Sequence, residues 1–421
     1  MSKEEMKLTP LEKKWVLYDV ANSAFTLLIA TIIPIYFNGI ASAQGLSDVD
    51  YLAYWGYAAS IATLLVALIG PFFGTLSDGK NKKLRMFIVA LAIGAIGCVA
   101  LGLAKTWLVF LAIFVLAKVA YQQSLIFYDS MLNDVTTPER ADVVSSKGYA
   151  WGYIGSCIPF VLCLVIVLMH DKIGLTMDIA MLIAFAITSI WWVACAVPLI
   201  KSYEQKNYVE NISNPVKDTF ANLFGLFKEL KGRKDIMFFL IAFFFYIDGV
   251  YTIIDMATAY GEALGLDSTG LLLALLLTQI VAFPCSLIFA KLSKKIKSET
   301  ILTICIFAYV GIAVFAFFLD TLTEFWILAF CVGMFQGTIQ AMSRSYYSRI
   351  IPPEKSGEYF GLYDIFGKGA AFTGTMLISV VTTITGSTNK GVSSLSIMFI
   401  IGFLLFRVAL KERKKYLDKK V

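Results

Sequence analysis

Eight charged side chains lie inside apolar runs of this 421-residue chain. A charge in hydrocarbon is costly, so each marks a place where protein or water must be close. The bases are Lys118, Arg344 and Lys368; the acids are Asp19, Asp129, Asp248, Asp255 and Asp364. Helical spacing gathers them with other polar residues into stripes. Asp19, Asn22, Ser23 and Thr26 share one face, as do Asp248, Tyr251, Thr252 and Asp255. Lys118, Gln122 and Asp129 form a third stripe, and Gln336, Gln340, Ser343 and Tyr347 a fourth. Such groups suit binding and ion pairing: a cavity with Lys118 against Asp248 and Asp255 offers both signs to a polar solute. Asp248, Asp255 and Asp19 are the candidates to carry a proton. Asp364 and Lys368, four apart with the acid first, read as an internal ion pair. Asp129 and Arg344, near the ends of their helices, read as a gating pair.

The elements that position these groups follow from hydropathy. The chain is 58% hydrophobic, and about 20 apolar residues cross a bilayer core of about 30 Å as a helix. Backbone groups cannot be left unpaired in lipid, which leaves helices or closed barrels, and runs this long without alternation are helices. The expected spans are 16–40, 51–76, 84–104, 107–131, 147–169, 177–200, 236–261, 268–291, 299–319, 323–348, 359–384 and 391–410. The fold class is thus an all-α polytopic membrane protein of twelve transmembrane helices.

Positive charge sorts by loop. The tails and alternate connections carry Lys3, Lys7, Lys13 and Lys14, then Lys80, Lys82, Lys83 and Arg85, then Arg140 and Lys147, seven residues between Lys201 and Lys234, and more beyond. The other side holds only Lys105, Lys172 and Lys390. Lys and Arg collect in cytoplasmic loops, so both termini are expected in the cytoplasm, and the net charge of +6 calls for no nucleic acid. The polar stretch Met1 to Lys14 and the length of the first span lead us to expect no cleavable signal. Seven cysteines sit in apolar spans without ligand spacing, and His170 is the one histidine, so no metal or cofactor is expected. No phosphate loop or nucleophile elbow is present, so an enzyme is not expected either.

The polar connection Lys201–Asp235 divides the chain into bundles 1–200 and 236–421, joined by a linker 201–235. The bundles echo each other at an offset near 213 residues. Pro71 and Lys82-Lys83 match Pro284 and Lys294-Lys295; Thr137-Pro138-Glu139-Arg140 matches Pro352-Pro353-Glu354-Lys355. Paired bundles rocking about a midplane site are a transporter plan.

Gly74-Thr-Leu-Ser-Asp78-Gly-Lys-Asn-Lys82-Lys83 resembles the GxxxDxxxK/R signature of the major facilitator superfamily, in the expected loop between spans two and three. Tyr18-Asp19-Val-Ala21-Asn22-Ser23-Ala24-Phe25, Tyr246-Ile-Asp248-Gly249-Val-Tyr-Thr252 and Phe360-Gly361-Leu362-Tyr363 resemble its vacuole-effluxer subfamily, which includes fungal autophagy-related amino-acid exporters. The resemblance covers nearly the whole chain and implies transport by alternating access. It makes spans one, four, seven and ten the cavity-lining set, and hence Asn22, Thr26, Lys118, Gln122, Asp248, Tyr251, Thr252, Gln336 and Gln340 the expected substrate-binding residues. It also implies that Asp78, with Lys82 and Lys83, helps lock the cytoplasmic side, with Asp129, Arg140 and Arg344 as further gate candidates. The second copy of the loop carries Lys291 where the first has Asp78, so a gate on that acid is expected in the first bundle alone.

The expected protein is a monomeric plasma-membrane transporter of a small polar, zwitterionic solute such as an amino acid or short peptide, coupled to protons. An exporter of amphiphilic or aromatic compounds is the alternative within the same class, and a non-transporting receptor or scaffold the alternative from another.

Overall fold

The computed structural model describes residues 7–210, 225, 228–368 and 371–419. Residues 211–224 and 226–227 of the expected linker, and 369–370 of the expected eleventh span, lie outside it. A first set of helices comprises α1 (Pro10–Ala30), α2 (Ile32–Ala43), α3 (Asp48–Ser77), α4 (Lys83–Leu101), α5 (Trp107–Ser130), the single turn α6 (Leu132–Val135), α7 (Ala141–Leu168) and α8 (Met177–Ile200). A second set comprises α9 (Lys234–Ala263), α10 (Ser268–Leu292), α11 (Ser298–Phe315), α12 (Leu322–Ile350), α13 (Ser356–Lys368), α14 (Ala371–Thr385), α15 (Thr388–Ser393) and α16 (Leu395–Asp418).

Among the described residues, eleven stretches are long and apolar enough to cross a membrane. The expected eleventh span is described instead as α13 and α14, with a shorter apolar stretch, Thr373–Thr385. Large apolar side chains such as Leu68, Ile96, Leu168 and Ile384 stand exposed around the outside, as a lipid-facing surface requires.

Local chemistry sets the helix ends. Pro10 occupies the first turn of α1, and Thr9 and Glu12 form a reciprocal capping box, which together satisfy N–H groups left over at a helix start. Thr321 and Glu324 repeat that device at α12. The first span breaks at Thr31, just before Pro34, whose ring and missing N–H disrupt the preceding turn. Gly45 and Gly265 close equivalent connections with φ of 82° and 75°, a left-handed turn open to glycine without strain, which supports the internal repeat.

Two buried apolar clusters organise the interior. One runs from Trp15 to Tyr203; the other runs from Leu230 to Ala409 and takes in Val66 and Ile126. The sets meet where α3 and α5 pack on α13, and α7 packs on α10 and α12. Basic segments gather at one face: Lys14 donates to Ser202 Oγ at 2.5 Å, Arg413 pairs with Asp235 at 3.0 Å, and Lys355 pairs with Glu229 at 2.7 Å. Gln44 bonded to the Lys105 carbonyl, and Asn389 to the Phe317 carbonyl, mark the opposite face.

Candidate functional site

Hydrogen bonds between the two sets concentrate toward the basic face, in three clusters. The first is built on Asp78, which ends α3. Its carboxylate accepts the Gly357 N–H at 2.8 Å and the Glu358 N–H at 2.9 Å, so it caps the N-terminus of α13, where unpaired N–H groups and the helix dipole favour an anion. Lys83 Nζ, fully buried, stands 3.7 Å from Asp78 and 3.6 Å from Asp134, and donates to Ser356 Oγ at 2.7 Å. Burial pushes the Asp78 carboxyl up to about 6, against the lowering pull of Lys83 and the two N–H donors. The contact is backbone-close: a Cβ on Gly74 would stand 2.3 Å from the Gly357 carbonyl oxygen.

The second cluster is centred on Arg344 of α12. Its guanidinium pairs with Asp19 at 3.0 Å and with Asp129 at 3.0 Å, and Nε donates to Ser145 Oγ at 2.9 Å. The sequence paired Asp129 with Arg344; Asp19, a candidate proton carrier from sequence, joins them as a buried group. The third cluster is centred on Asp142 at the start of α7. It pairs with Arg349 at 2.7 Å and accepts from Ser345 Oγ at 2.5 Å and from Ser298 Oγ. Lys291, the counterpart of Asp78, is exposed. On that side of the seam the first set again supplies the acid, from a different position.

Nearer the middle of the spans, Lys118 and Gln122 of α5 line a cavity with Thr63 and Val66 of α3 and Asp364 and Ile365 of α13. Lys118 Nζ lies 5.7 Å from the centre of the Phe114 ring and interacts electrostatically with Asp255. Tyr251 stands within electrostatic range of Asp364, Asp129 and Asp255. Thr26 Oγ1 and the Tyr121 hydroxyl are 2.6 Å apart, and the Tyr153 hydroxyl reaches Gln340 of the other set at 3.3 Å. These groups put both charge signs beside amide and hydroxyl groups.

Other expected residues lie elsewhere. Asp248 and Thr252 are fully buried in α9 and bond each other at 3.2 Å, facing Gly374 of α14; they do not line the Lys118 cavity. Asn22 is buried against its own helix, donating to the Tyr18 carbonyl at 3.0 Å, and Gln336 is buried within α12. Arg140, expected in the gate, instead binds Glu12 at 2.7 Å and the Lys7 carbonyl at 2.8 Å. Those described bonds tie the loop to the start of α1 within one set, because the Glu12 carboxylate is presented there by the capping box. Lys82 caps α4 without a side-chain cap bond; the ammonium that reaches across the seam is that of Lys83. Asp364 takes part in the cavity, while the Lys368 side chain expected as its partner lies outside the described residues.

Two acids that tie these clusters together were not singled out from the sequence. Asp142 and Asp134 fall in connections that look like ordinary charged loops. Asp134 holds the start of the linker: it accepts from the Asn207 N–H at 2.9 Å, Asn207 Nδ2 at 2.8 Å, the Lys206 N–H at 3.2 Å and the Tyr203 hydroxyl. The faint signal was the proximity of Asp134 to the end of the span that carries Asp129.

A sequence model of the family described as "Vacuole effluxer Atg22 like" matches residues 11–419. An uncharacterized MFS-type transporter of Bacillus subtilis, YxiO, is 37% identical over 95% of this chain and 94% of its own length. Autophagy-related protein 22 of Saccharomyces cerevisiae is 26% identical, over 85% of this chain and 71% of its own. Among solved structures, the E. coli fucose:proton symporter FucP superposes with a TM-score of 0.72 at 13% identity, covering 95% and 97% of the two chains. The proton:xylose symporter XylE also gives 0.72, at 12% identity with 94% of each chain covered. At such identities the likeness shows the fold, that of the major facilitator superfamily.

Proposed function

The chain belongs to the vacuole effluxer Atg22-like family of MFS-type membrane transporters, and from that premise we propose that it moves a small zwitterionic solute, an amino acid or short peptide, by alternating access. The observation that carries this reading is the meeting of Lys118, Gln122 and Asp364 around a small cavity, with Asp255 in electrostatic reach of Lys118; the cavity must widen as the sets move to admit a solute. A carboxylate on the solute would pair with Lys118 and an ammonium with the acids, leaving no unpaired charge in a low-dielectric site. A neutral sugar would leave those charges unmatched.

The moving units in this reading are residues 1–200 and 236–421, joined by the linker 201–235, in a monomer in the plasma membrane. Both termini and the basic face lie in the cytoplasm, which the loop charges favour. The described bonds at that face then correspond to a form closed toward the cytoplasm, and inward opening must break the clusters at Asp78, Arg344 and Asp142. Protons are the coupling ion, with Asp248, Asp255 and Asp19 as the carboxyls to test.

The test is flux of labelled amino acids and dipeptides into liposomes holding the purified protein, with and without an imposed pH gradient. Uptake of a zwitterion that responds to the gradient and is lost in Lys118→Ala supports the reading. Transport of amphiphilic or aromatic cations alone would replace it with the exporter alternative, and binding without flux would replace it with a receptor.

A further inference from the structure

Arg344 belongs to α12, but its guanidinium sits in a pocket furnished by the first set. Asp19 and Asp129 hold it at 3.0 Å each, and Nη1 alone is shared between Asp129 at 3.0 Å and Asp19 at 3.4 Å. Three aromatic rings face it, Trp15 at 4.6 Å, Tyr149 at 4.4 Å and Tyr128 at 5.7 Å from their centres. The cradle is kept open by Gly148, where a Cβ would meet Asp19 Oδ2 at 2.0 Å and Arg344 Nη2 at 3.1 Å. Paired carboxylates and ring faces together are the chemistry that recognises an organic cation, through charge-assisted hydrogen bonds and cation–π attraction.

The two carboxylates and three rings sit on α1, α5 and α7, whereas the cation arrives from the other set. Separating the sets at the basic face therefore withdraws the guanidinium and leaves the pocket intact on the first set. We infer that this pocket receives the ammonium or guanidinium group of the transported solute when the basic face opens, and that Arg344 is a tethered stand-in that fills it when that face is closed. The inference rests on the alternating-access reading above. It gives Arg344 a role beyond a lock. Solute cation and Arg344 exclude each other, so solute in the pocket holds the basic face open, and its departure lets Arg344 return.

The test uses the full chain in detergent, with thermal unfolding followed against guanidinium chloride, agmatine, L-arginine and L-alanine, each compared with sodium chloride at equal ionic strength. In Arg344→Ala the tether is gone, and the organic cations should stabilise at concentrations at least tenfold lower than in the unsubstituted protein. Adding Asp129→Asn should abolish that gain. A response to L-alanine assigns the pocket to an α-ammonium; a response to agmatine and L-arginine alone assigns it to a cationic side chain. Equal responses with and without Arg344, or a gain that survives Asp129→Asn, overturn the inference.

Should Arg344→Ala and Arg344→Gln both fail to fold, a Ser345→Cys reporter, buried at the seam, keeps the question open to measurement in a chain that retains Arg344. Agmatine or L-alanine must then speed its alkylation, and an unchanged rate for both overturns the inference. Loss of zwitterion flux with cation binding intact would sink the substrate reading but not the pocket. Flux indifferent to Asp129→Asn would sink the pocket but not the substrate reading.

Discussion

Asp78 accepts the backbone N–H of Gly357 at 2.8 Å across the seam between the two helix sets. An acid at the end of one membrane helix thus completes the first turn of another, at a residue 279 positions further along the chain. Its second oxygen takes the next N–H, that of Glu358. Hydrogen bonds to a charged group contribute roughly 1.5–3 kcal/mol each. Asp78→Ala should therefore weaken closure of the basic face by on the order of 3 kcal/mol. Hydrogen exchange at Gly357 and Glu358 reads this directly. Protection unchanged in the variant would mean that the capping bonds do not hold the seam.

Closure also depends on backbone approach at the same place. A Cβ on Gly357 would lie 2.4 Å from the Gly74 carbonyl oxygen and 2.3 Å from Ser77 Oγ. The carbonyl belongs to a packed helix and cannot swing aside. Gly357→Ala should push α3 and α13 apart and raise alkylation of a Ser345→Cys reporter at least several-fold, with the purified protein still folded. An alkylation rate equal to that of the glycine form would show that the seam absorbs the methyl group.

The pH response follows from Asp78 and, beside it, Glu358, whose carboxyl burial pushes up to about 7, so the share due to Asp78 is the part of the response that Asp78→Asn takes away. Burial holds its carboxyl at about 6, above the solvated value of about 3.9. An acid raised in the closed form takes up a proton on closing, so closure strengthens as pH falls through about 6 and is complete in this respect near 4. Above 6 the ionised carboxyl remains buried beside Lys83 and Asp134, and that part of the stabilisation is absent. The full swing is on the order of 3 kcal/mol if opening exposes the group to water. Protection of the Gly357 amide, corrected for intrinsic exchange, should be greater at pH 5 than at pH 7.5, and Asp78→Asn should shrink the difference to the part that Glu358 supplies. Greater protection at the higher pH would reverse the sign and sink the argument.

Asp78 was singled out because Gly74 and Asp78, in the loop between spans two and three, resemble the superfamily's signature; the residues alone read as an ordinary charged turn. Arg344 and Asp129 were legible because charges inside apolar runs must find partners, and their places in the two bundles correspond. Asp142 and Asp134 were not. Each lies in a polar connection, and sequence does not tell a solvated loop acid from one buried by residues far away in the chain. Asp248 failed differently: its depth marks it as costly, but only packing reveals that Thr252 and Gly374 surround it. Most spans were close, and α8 coincides with its expected range, whereas the first breaks at Thr31 and the eleventh is described as the two shorter helices α13 and α14. The start of α7 moved back to Ala141, because Asp142 and Ser145 are engaged at the seam and not in water.

Lys118 supplies the test of the central cavity. It is the cation among the residues lining that space with Gln122 and Asp364. Lys118→Ala removes the group proposed to meet a solute carboxylate, and an unpaired anion in a low-dielectric cavity is strongly disfavoured. Affinity for the zwitterion should fall at least a hundredfold, by about 3 kcal/mol, measured by thermal shift or isothermal titration. A methyl ester of the same amino acid should lose far less, since it brings no carboxylate. Equal losses for acid and ester would place Lys118 in a structural role.

The linker supplies the last prediction. Asp134 accepts from Tyr203, Lys206 and Asn207, and the same carboxylate stands 3.6 Å from Lys83, which reaches Ser356 on the other set. Val209 N–H adds a bond to the Asp78 carbonyl at 2.8 Å. The strap after α8 is thus fastened to the loop that bonds across the seam. Asn207→Ala removes one of the four donors noted at Asp134, the side-chain amide, and keeps the backbone N–H, so it should loosen the strap by about 1 kcal/mol. Asp134→Asn should do more, because it also leaves Lys83 with one carboxylate fewer in a buried site. If strap and lock act together, exchange should accelerate at both Val209 and Gly357 in Asp134→Asn. Acceleration at Val209 alone would show that the strap is fastened to the first set without bearing on the lock.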